Sequence, residues 1–288
     1  MSAMTTLKVW FNSIATMFAN FGALLVFATM YALLLIASYI FIWIREATIL
    51  QVFVTYALMI LIPIVFFILQ ASIINRALDQ KLRWGVILID TLKFIVVFIL
   101  VLLVAGLLYY LLNKLSARYP APVVEILPIP ARGKPATPPA TPPLHWPTLI
   151  FATLRFVLAG VAFPLVTIHF WIAVAGGGLR TLFSDGVKSF FKRFGSTLAR
   201  AFSPDSVLIY GLGLIIFFVL PYVILSPVIR INSNKMEFVV FGLRLLLAFL
   251  FSLLGWVLTL TALARAVPSS PAEVSAASNV ALPTESVA

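Results

Sequence analysis

The feature that most constrains this chain is a series of six long apolar runs separated by stretches that carry charge. A helix needs about 20 mainly apolar residues to cross the hydrocarbon core of a bilayer. Each run has about that length, and in lipid a helix pairs its backbone polar groups within one segment. The predicted transmembrane helices are Gly22–Ile44, Val52–Ile74, Phe94–Leu112, Phe156–Ala175, Ser206–Val228 and Leu245–Ala264.

The composition indicates a chain whose surface faces lipid over most of its area. Of its 288 residues, 62% are hydrophobic and only 10% are charged, and the mean hydropathy is +1.12. A soluble domain carries about 25% charged residues. The apolar runs are continuous rather than alternating, which argues against a membrane β-barrel. We therefore predict an all-α integral membrane protein with about six transmembrane helices and short amphipathic interfacial helices.

Three segments, 1–21, 75–93 and 177–205, have the pattern of amphipathic helices. Their apolar residues recur at steps of three and four, which places each set on one helical face. The sets are Leu7, Trp10, Phe11, Ile14, Met17, Phe18 and Phe21; Leu78, Leu82, Val86, Ile89 and Leu92; and Leu179, Phe183, Val187, Phe190 and Phe194. Such helices are expected to lie in the membrane surface.

Two segments are predicted to lack helical structure. Prolines recur between Pro120 and Pro147, and proline both lacks an N–H donor and restricts the backbone. Residues 113–147 are therefore expected to form an extended external linker between two groups of three spans. A ligand for a proline-recognising partner is the alternative for this segment. Residues 267–288, rich in Ala, Ser and Pro, are predicted to be a disordered tail.

The formal net charge of +11 comes from Lys and Arg distributed between the apolar runs. This pattern is typical of topology signals and headgroup contacts rather than of nucleic-acid binding. Positive charge is enriched in cytoplasmic segments, so the charge-dense segments 75–93 and 177–205 are expected on the cytoplasmic side. With six spans, we therefore predict that both termini are cytoplasmic as well. The run Gly22–Ile44 exceeds the 7–15 apolar residues of a signal peptide and is expected to be retained. Size, simplicity and the lack of cysteine favour a bacterial cytoplasmic membrane.

The residue types that carry catalysis and metal binding are scarce. The chain has no cysteine and only two histidines, and it contains no zinc-protease, nucleophile-elbow or phosphate-loop motif. Gly211 and Gly213, inside an apolar run, are interpreted as a helix-packing surface rather than a dinucleotide fingerprint. The sequence therefore predicts no enzyme, no cofactor and no metal site.

Several basic residues are candidates for contacts with anions or lipid headgroups. Lys188, Lys192 and Arg193 belong to the third amphipathic segment and are expected to contact anionic headgroups. Arg155 and Arg244 are expected at the outer rim of the membrane, where long basic side chains extend toward headgroups. The alternative is that these two arginines converge as an anion clamp.

Polar and helix-breaking residues near or within the spans are further candidates. Asp90 and Lys93 are three positions apart, so they can pair on one helical face at the interface. His169 lies inside the fourth span, where it is either a hydrogen-bonded packing residue or an intramembrane polar site. Pro63, Pro164 and Pro221 fall inside spans and are expected to kink them.

Two hypotheses for function follow from these residues. The first is a non-enzymatic scaffold, assembly factor or regulatory subunit that contacts anionic lipid, a protein partner or a second copy of itself. The second is a small permease or channel for a hydrophobic or anionic solute, favoured by the three prolines, the rim arginines and a weak internal repeat. The repeat would relate residues 52–112 to residues 156–228, each with a proline-containing span, a basic stretch and another span.

Overall fold

The computed structural model describes residues 3–45, 48–80, 83–120, 145–183, 186–227 and 234–266. Within these ranges every secondary-structure element is helical, and six helical segments are long and apolar enough to cross a membrane. The predicted fold class, an all-α integral membrane protein, is confirmed. Residues 121–144 of the predicted linker and the predicted tail, residues 267–288, lie outside the described residues.

Four of the spans are single helices, and two are interrupted by a π-helical turn. The single helices are α2 (Phe21–Trp43), α3 (Ile49–Ala77), α4 (Trp84–Ser116) and α10 (Asn234–Ala266). The fourth span comprises α5 (Trp146–Val157), a π-helical turn (Leu158–Ala162) and α6 (Phe163–Phe183). The fifth span comprises α8 (Pro204–Leu214), a π-helical turn (Ile215–Val219) and α9 (Leu220–Leu225). Two further helices are α1 (Ala3–Ala19) and α7 (Gly186–Ala201).

The structure differs from the sequence prediction between the second and third spans. The amphipathic segment 75–93 is not a separate helix, because α3 continues to Ala77 and α4 runs unbroken from Trp84 to Ser116. No proline interrupts α4, so its first turns continue directly into the third span. Two polar residues of these turns, Asp90 and Lys93, form an ion pair, and Asp90 also accepts a hydrogen bond from Asn75 on α3.

The amphipathic helix predicted in residues 1–21 is present as α1. Of the segment 177–205, the part from Gly186 to Ala201 forms a separate helix, α7, whereas Leu179 and Phe183 belong to α6. Helix α1 packs against α10 and α8, and α7 packs against α6. The connection between α3 and α4 consists of residues 78–83, which are too few to form a helix as long as α7. The two proposed repeat units therefore differ in the element that joins their spans.

Buried side chains are concentrated in one half of the bundle, which we call the packed half. It contains the C-terminal halves of α3, of the fourth span and of α10, and the N-terminal halves of α4 and of the fifth span. In α3 the buried residues lie between Phe67 and Ala77, and in α4 they lie between Ile87 and Val97. In the other half, which we call the exposed half, most side chains of the same helices are exposed. Helix α1 and the end of α10 both belong to the packed half.

An aromatic cluster holds α3, α4 and α6 together in the packed half. The rings of Phe94 and Trp171 stack with centroids 5.3 Å apart and 7° between their planes. The ring of Phe67 meets Trp171 edge-on at 5.9 Å. The Trp171 Nε1–H also donates to the Phe94 carbonyl oxygen at 3.1 Å. Aromatic pairs of this kind add about 0.5–1.5 kcal/mol beyond their burial, so the cluster stabilises the contact of three spans.

The two π-helical turns each precede a proline, Pro164 or Pro221. Proline has no N–H, so the carbonyl four residues earlier loses its usual helical partner. At Pro164 that carbonyl belongs to Gly160, and the hydroxyl of Tyr210 on α8 donates to it at 2.9 Å. A break in the backbone hydrogen bonds of one span therefore becomes a contact with the next span.

The fifth span approaches α10 closely at two glycines. A Cβ atom on Gly213 would lie 1.8 Å from the Thr259 Oγ1, and one on Gly255 would lie 2.6 Å from the Phe217 backbone nitrogen. Small residues allow such close approach between helices in membranes. The predicted packing role is confirmed for Gly213, whereas a Cβ on Gly211 would meet nothing within 4 Å.

We predict that Gly255→Ala destabilises the protein, because its methyl group would overlap the backbone at Phe217. Overpacking of this kind costs about 1–3 kcal/mol. The matched control is Gly242→Ala in the same helix, where a Cβ meets nothing within 4 Å; a better helix former there should raise stability slightly. Thermal unfolding in detergent compares the two, and equal midpoints would contradict the close packing at Gly255.

Candidate lipid and partner contact site

His169 lies on α6 in the packed half, where it is buried. Its Nδ1 is 2.9 Å from the Leu165 carbonyl oxygen, and its Nε2 is 3.0 Å from the Ser206 Oγ on α8. A carbonyl oxygen only accepts, so in the neutral ring Nδ1 carries the proton and Nε2 accepts from the Ser206 hydroxyl. Ser203, the N-cap of α8, donates in turn to the Ser206 Oγ at 3.0 Å. Both ring nitrogens are thus hydrogen-bonded, and one of these bonds joins α6 to α8.

Asp90 and Lys93 form an ion pair on α4, as their spacing predicts, with 2.7 Å between Oδ1 and Nζ. The second carboxylate oxygen of Asp90 accepts from the Asn75 Nδ2 on α3 at 2.9 Å. Asp90 is buried within the bundle, whereas the Lys93 side chain is 23% exposed. A buried carboxylate requires a counter-charge and hydrogen bonds, so these three residues act together to join α3 to α4.

Arg155 and Arg244 are half-buried, and each is bound by the helix next to its own. The Arg155 Nη2 donates to the Ser116 Oγ at the end of α4 at 2.8 Å. The Arg244 Nε donates to the Ile224 carbonyl oxygen near the end of α9 at 2.6 Å, where unpaired helical carbonyls attract a cation. The two arginines therefore join different helix pairs, and they share no hydrogen-bond partner among the described residues.

The basic helix α7 is attached to α6 through one of its faces. The rings of Phe194 and Phe170 lie 5.1 Å apart, and Thr197 and Ala201 are buried. On this helix Lys192 is exposed and Arg193 is half-buried, and the side chain of Lys188 lies outside the described residues. A basic helix that is held against the bundle in this way presents positive charge at a defined place on its surface.

Helix α1 has two apolar faces with different surroundings. Trp10 and Met17 are buried against the bundle together with Ser13. Phe11 and Phe18, seven residues apart and thus on one side of the helix, are 67% and 53% exposed. Helix α1 therefore both packs on the spans and presents aromatic rings outward, as a helix at a membrane surface does.

Two arginines that the sequence pattern does not single out, Arg76 and Arg265, line one cavity of the packed half. Arg76, in the last turn of α3, donates to the Asn20 Oδ1. Arg265, in the last turn of α10, donates to the Thr16 Oγ1 at 2.8 Å. The sequence shows only a basic residue near the end of each apolar run, and their proximity depends on which helices pack together.

The exposed half contains few polar side chains that could line a path for a solute. Its helices present mainly Leu, Ile, Val and Phe. The interhelical side-chain hydrogen bonds found there among the described residues are those of Arg155 and Arg244. Polar solutes cross membranes along polar linings, so the described side chains of this half offer little support for such a path.

A cavity of about 390 Å³ lies between α2, α3 and α4, toward the exposed half. It is lined by Leu34, Ser38, Ile62, Pro63, Phe66, Phe67 and Phe98. Within this lining the one polar side chain is Ser38, whose hydroxyl donates to the Leu34 carbonyl oxygen at 2.8 Å. The cavity is therefore suited to an apolar molecule rather than to an ion.

Among the described residues, no group of three or more His, Cys, Asp or Glu side chains is placed to hold a metal ion. Comparisons of this chain with protein-family models, with curated proteins and with solved structures found no match. The features of the described chain that bear on its function are therefore the contact surfaces of the packed half and the apolar faces of the exposed half.

We predict that the Asp90–Lys93 pair contributes an interaction free energy of about 1–3 kcal/mol, because removing one partner leaves the other charge poorly compensated. The measurement is a double-mutant cycle of Asp90→Leu and Lys93→Leu, monitored by unfolding in detergent. The control cycle combines Asp90→Leu with Lys114→Leu, an exposed lysine of the same helix, and should be additive. Additivity in both cycles would show that the ion pair does not stabilise the bundle.

Proposed function

We propose that this multi-pass membrane protein is non-enzymatic and acts through contacts, as a scaffold, assembly factor or regulatory subunit. The observation that carries the proposal is the use of buried polar side chains to join helices. His169 bonds to Ser206, Asn75 bonds to Asp90, and the Trp256 Nε1–H donates to the Gln70 Oε1 at 2.8 Å. Side chains with these roles stabilise a fixed bundle.

A catalytic or transport role would require polar groups that converge where a substrate can reach them. In the packed half, the described polar side chains converge chiefly on one another across helix pairs. Displacing such a contact leaves a buried polar group unpaired, which costs about 1–3 kcal/mol. The arrangement thus favours a protein whose packed half stays rigid while its surfaces bind partners.

The exposed half supplies a lateral surface for a protein partner or a second copy of the chain. Large aromatic side chains are exposed on its last two helices, including Phe218 and Tyr222 on the fifth span and Phe238 on α10. Helices associate within membranes through van der Waals packing against a complementary surface. A partner in the plane of the membrane would cover these rings.

The packed half supplies a basic surface for anionic lipid. Lys192 and Arg193 on α7, together with Lys188 of the same helix, carry positive charge on a helix attached to the spans. Each basic residue near an anionic membrane surface gains about 1 kcal/mol. These contacts would fix the depth and orientation of the bundle in the membrane.

The proposed location is a bacterial cytoplasmic membrane with the packed half toward the cytoplasm. Helix α1 contacts the end of α10, so both ends of the described chain lie on the same side of the bundle. The basic helix α7 is on that side too, and positive charge is enriched in cytoplasmic segments. The proposed orientation therefore has both termini in the cytoplasm.

The alternative function is a small permease or channel, and two observations favour it. The fourth and fifth spans each carry a π-helical turn before a proline, and such turns are frequent at functional sites. The cavity beside Pro63 is large enough for part of a hydrophobic molecule. Because its lining is apolar, this alternative applies to a hydrophobic solute better than to an anionic one.

We expect the protein, extracted gently from its own membrane, to appear in native mass spectrometry with a second chain at fixed stoichiometry or as a defined homo-oligomer. In proteoliposomes it should carry no measurable solute flux, since polar groups are engaged in helix contacts. Flux of a hydrophobic solute that falls when Ser38→Leu fills the cavity, with the fold retained, would favour the permease instead. Any turnover by the purified protein would contradict a non-enzymatic role.

The orientation is testable because the chain contains no cysteine. We predict that Ser226→Cys, at the end of α9, reacts with a membrane-impermeant maleimide on intact cells. Ser196→Cys, on α7 in the packed half, should react only after the cells are permeabilised. Both serines are exposed, so the two variants are matched controls for each other. The reverse labelling pattern would place the packed half outside.

A further inference from the structure

A small cavity of the packed half lies where α1, the start of α2 and the ends of α3 and α10 meet. Its polar lining consists of Thr16, Asn20, Arg76, Asp79, Thr261 and Arg265. We call it the arginine cavity. Four separate elements contribute to it, and two guanidinium groups from different spans reach the same space.

The arginine cavity has an excess of hydrogen-bond donors and of positive charge. Arg76 donates to Asn20 and Arg265 donates to Thr16, which are the side-chain bonds of these guanidinium groups within the described part of the chain. Each guanidinium has five N–H donors in a planar fork, so most of them remain for a ligand. Asp79 is exposed and forms no ion pair with either arginine; two cations and one carboxylate leave this lining with one net positive charge.

We propose that the arginine cavity binds the phosphate group of an anionic membrane phospholipid. Guanidinium forks match phosphate oxygens in a bidentate manner and are the preferred protein group for planar recognition of this kind. The hydroxyl of Thr261 adds a donor on the same lining, whereas that of Thr16 already donates to the Asn12 carbonyl oxygen. This inference rests on the proposed contact function and specifies which lipid group is bound and where.

The size of the arginine cavity restricts the ligand to a small group. Its volume is about 40 Å³, whereas the space needed for one water by the same measure is about 10–15 Å³. The volume of a tetrahedral anion is of this order, whereas that of a large organic solute is much greater. The cavity therefore accepts a headgroup phosphate while the rest of the lipid stays outside.

The lining also changes from polar to apolar in the direction that a phospholipid requires. From Asn20 the wall continues along α2 to Leu24 and Phe27, and seven helical residues span about 10 Å. On the other side it continues to Ile73 and Val257, which belong to spans. A lipid with its phosphate at the arginines would direct its acyl chains along these spans into the bilayer.

A purely structural role accounts for part of this arrangement. Arg76 and Arg265 each lie in the last turn of a helix, where a cation is favourable. At each helix end that effect would also be satisfied by an arginine whose side chain is directed outward. It does not account for two guanidinium groups that line one cavity together with two threonine hydroxyls and an asparagine.

The test uses the full-length protein with three kinds of variant. Arg76→Gln and Arg265→Gln, singly and together, remove the cations. Ala23→Leu fills the cavity from a half-buried lining position and leaves both arginines in place, so it tests the site even if the arginine variants lose stability. Arg83→Gln is the matched control, an exposed arginine at the N-cap of α4 in the same half that does not line the cavity.

The probes are phosphatidylglycerol, diacylglycerol, which lacks the phosphate, and inorganic phosphate. Native mass spectrometry and thermal unfolding in detergent measure binding of each. We expect phosphatidylglycerol to bind the wild type and Arg83→Gln as a discrete adduct and to raise the unfolding temperature. Each arginine variant should bind this lipid roughly tenfold more weakly, as expected for loss of a charge-assisted hydrogen bond. Ala23→Leu should lose the adduct, and diacylglycerol should have no effect.

The outcomes separate this inference from the function on which it rests. Phosphatidylglycerol binding that is equal in all variants would overturn the arginine cavity as the site and leave the lipid-contact function standing. Absence of any effect of anionic lipid on the wild type would overturn both. Binding of inorganic phosphate without binding of the lipid, lost in the same variants, would overturn the lipid as the source of the phosphate. Competition of inorganic phosphate with the lipid adduct would support recognition of the phosphate group itself.

Discussion

Polar contacts between spans are the interaction on which this bundle depends. Lipid chains are as apolar as leucine, so helices in a membrane gain no hydrophobic free energy by associating and are held by packing and interhelical hydrogen bonds. Such bonds average about 0.6 kcal/mol each. Here several neighbouring helix pairs have one, including Asn75–Asp90 between α3 and α4 and Gln70–Trp256 between α3 and α10. Their sum, together with the aromatic cluster around Trp171, accounts for the concentration of buried residues in the packed half.

The same contacts connect the fold to the proposed function. Because the polar residues of the packed half join helices, the parts of the molecule left for recognition are its surfaces. These surfaces differ in chemistry: the packed half presents the basic helix α7 and the arginine cavity, and the exposed half presents apolar side chains such as Phe218 and Phe238. One end is thus proposed to bind anionic headgroups, and the other to bind apolar partners within the bilayer.

Backbone irregularities in the spans serve packing in a similar way. Pro164 removes one N–H donor, and the Gly160 carbonyl that it frees accepts the Tyr210 hydroxyl from the next span. At Gly255 the absence of a side chain lets α10 approach the backbone of the π-helical turn at Phe217. In a medium without water, each unpaired carbonyl or gap is costly. The neighbouring helix therefore supplies the missing donor at Gly160 and fills the available space at Gly255.

The sequence by itself determined the six spans, the amphipathic helices α1 and α7, and the pairing of Asp90 with Lys93. These features depend on length, periodicity and spacing along one chain, which bilayer thickness and helix geometry translate directly into structure. Only the tertiary structure decided that the segment 75–93 continues into α4, that Arg155 and Arg244 join different helix pairs, and that Arg76 and Arg265 line one cavity. The physical reason is that interhelical contacts depend on which helices are neighbours and how they are rotated, and a continuous apolar run carries almost no information about either.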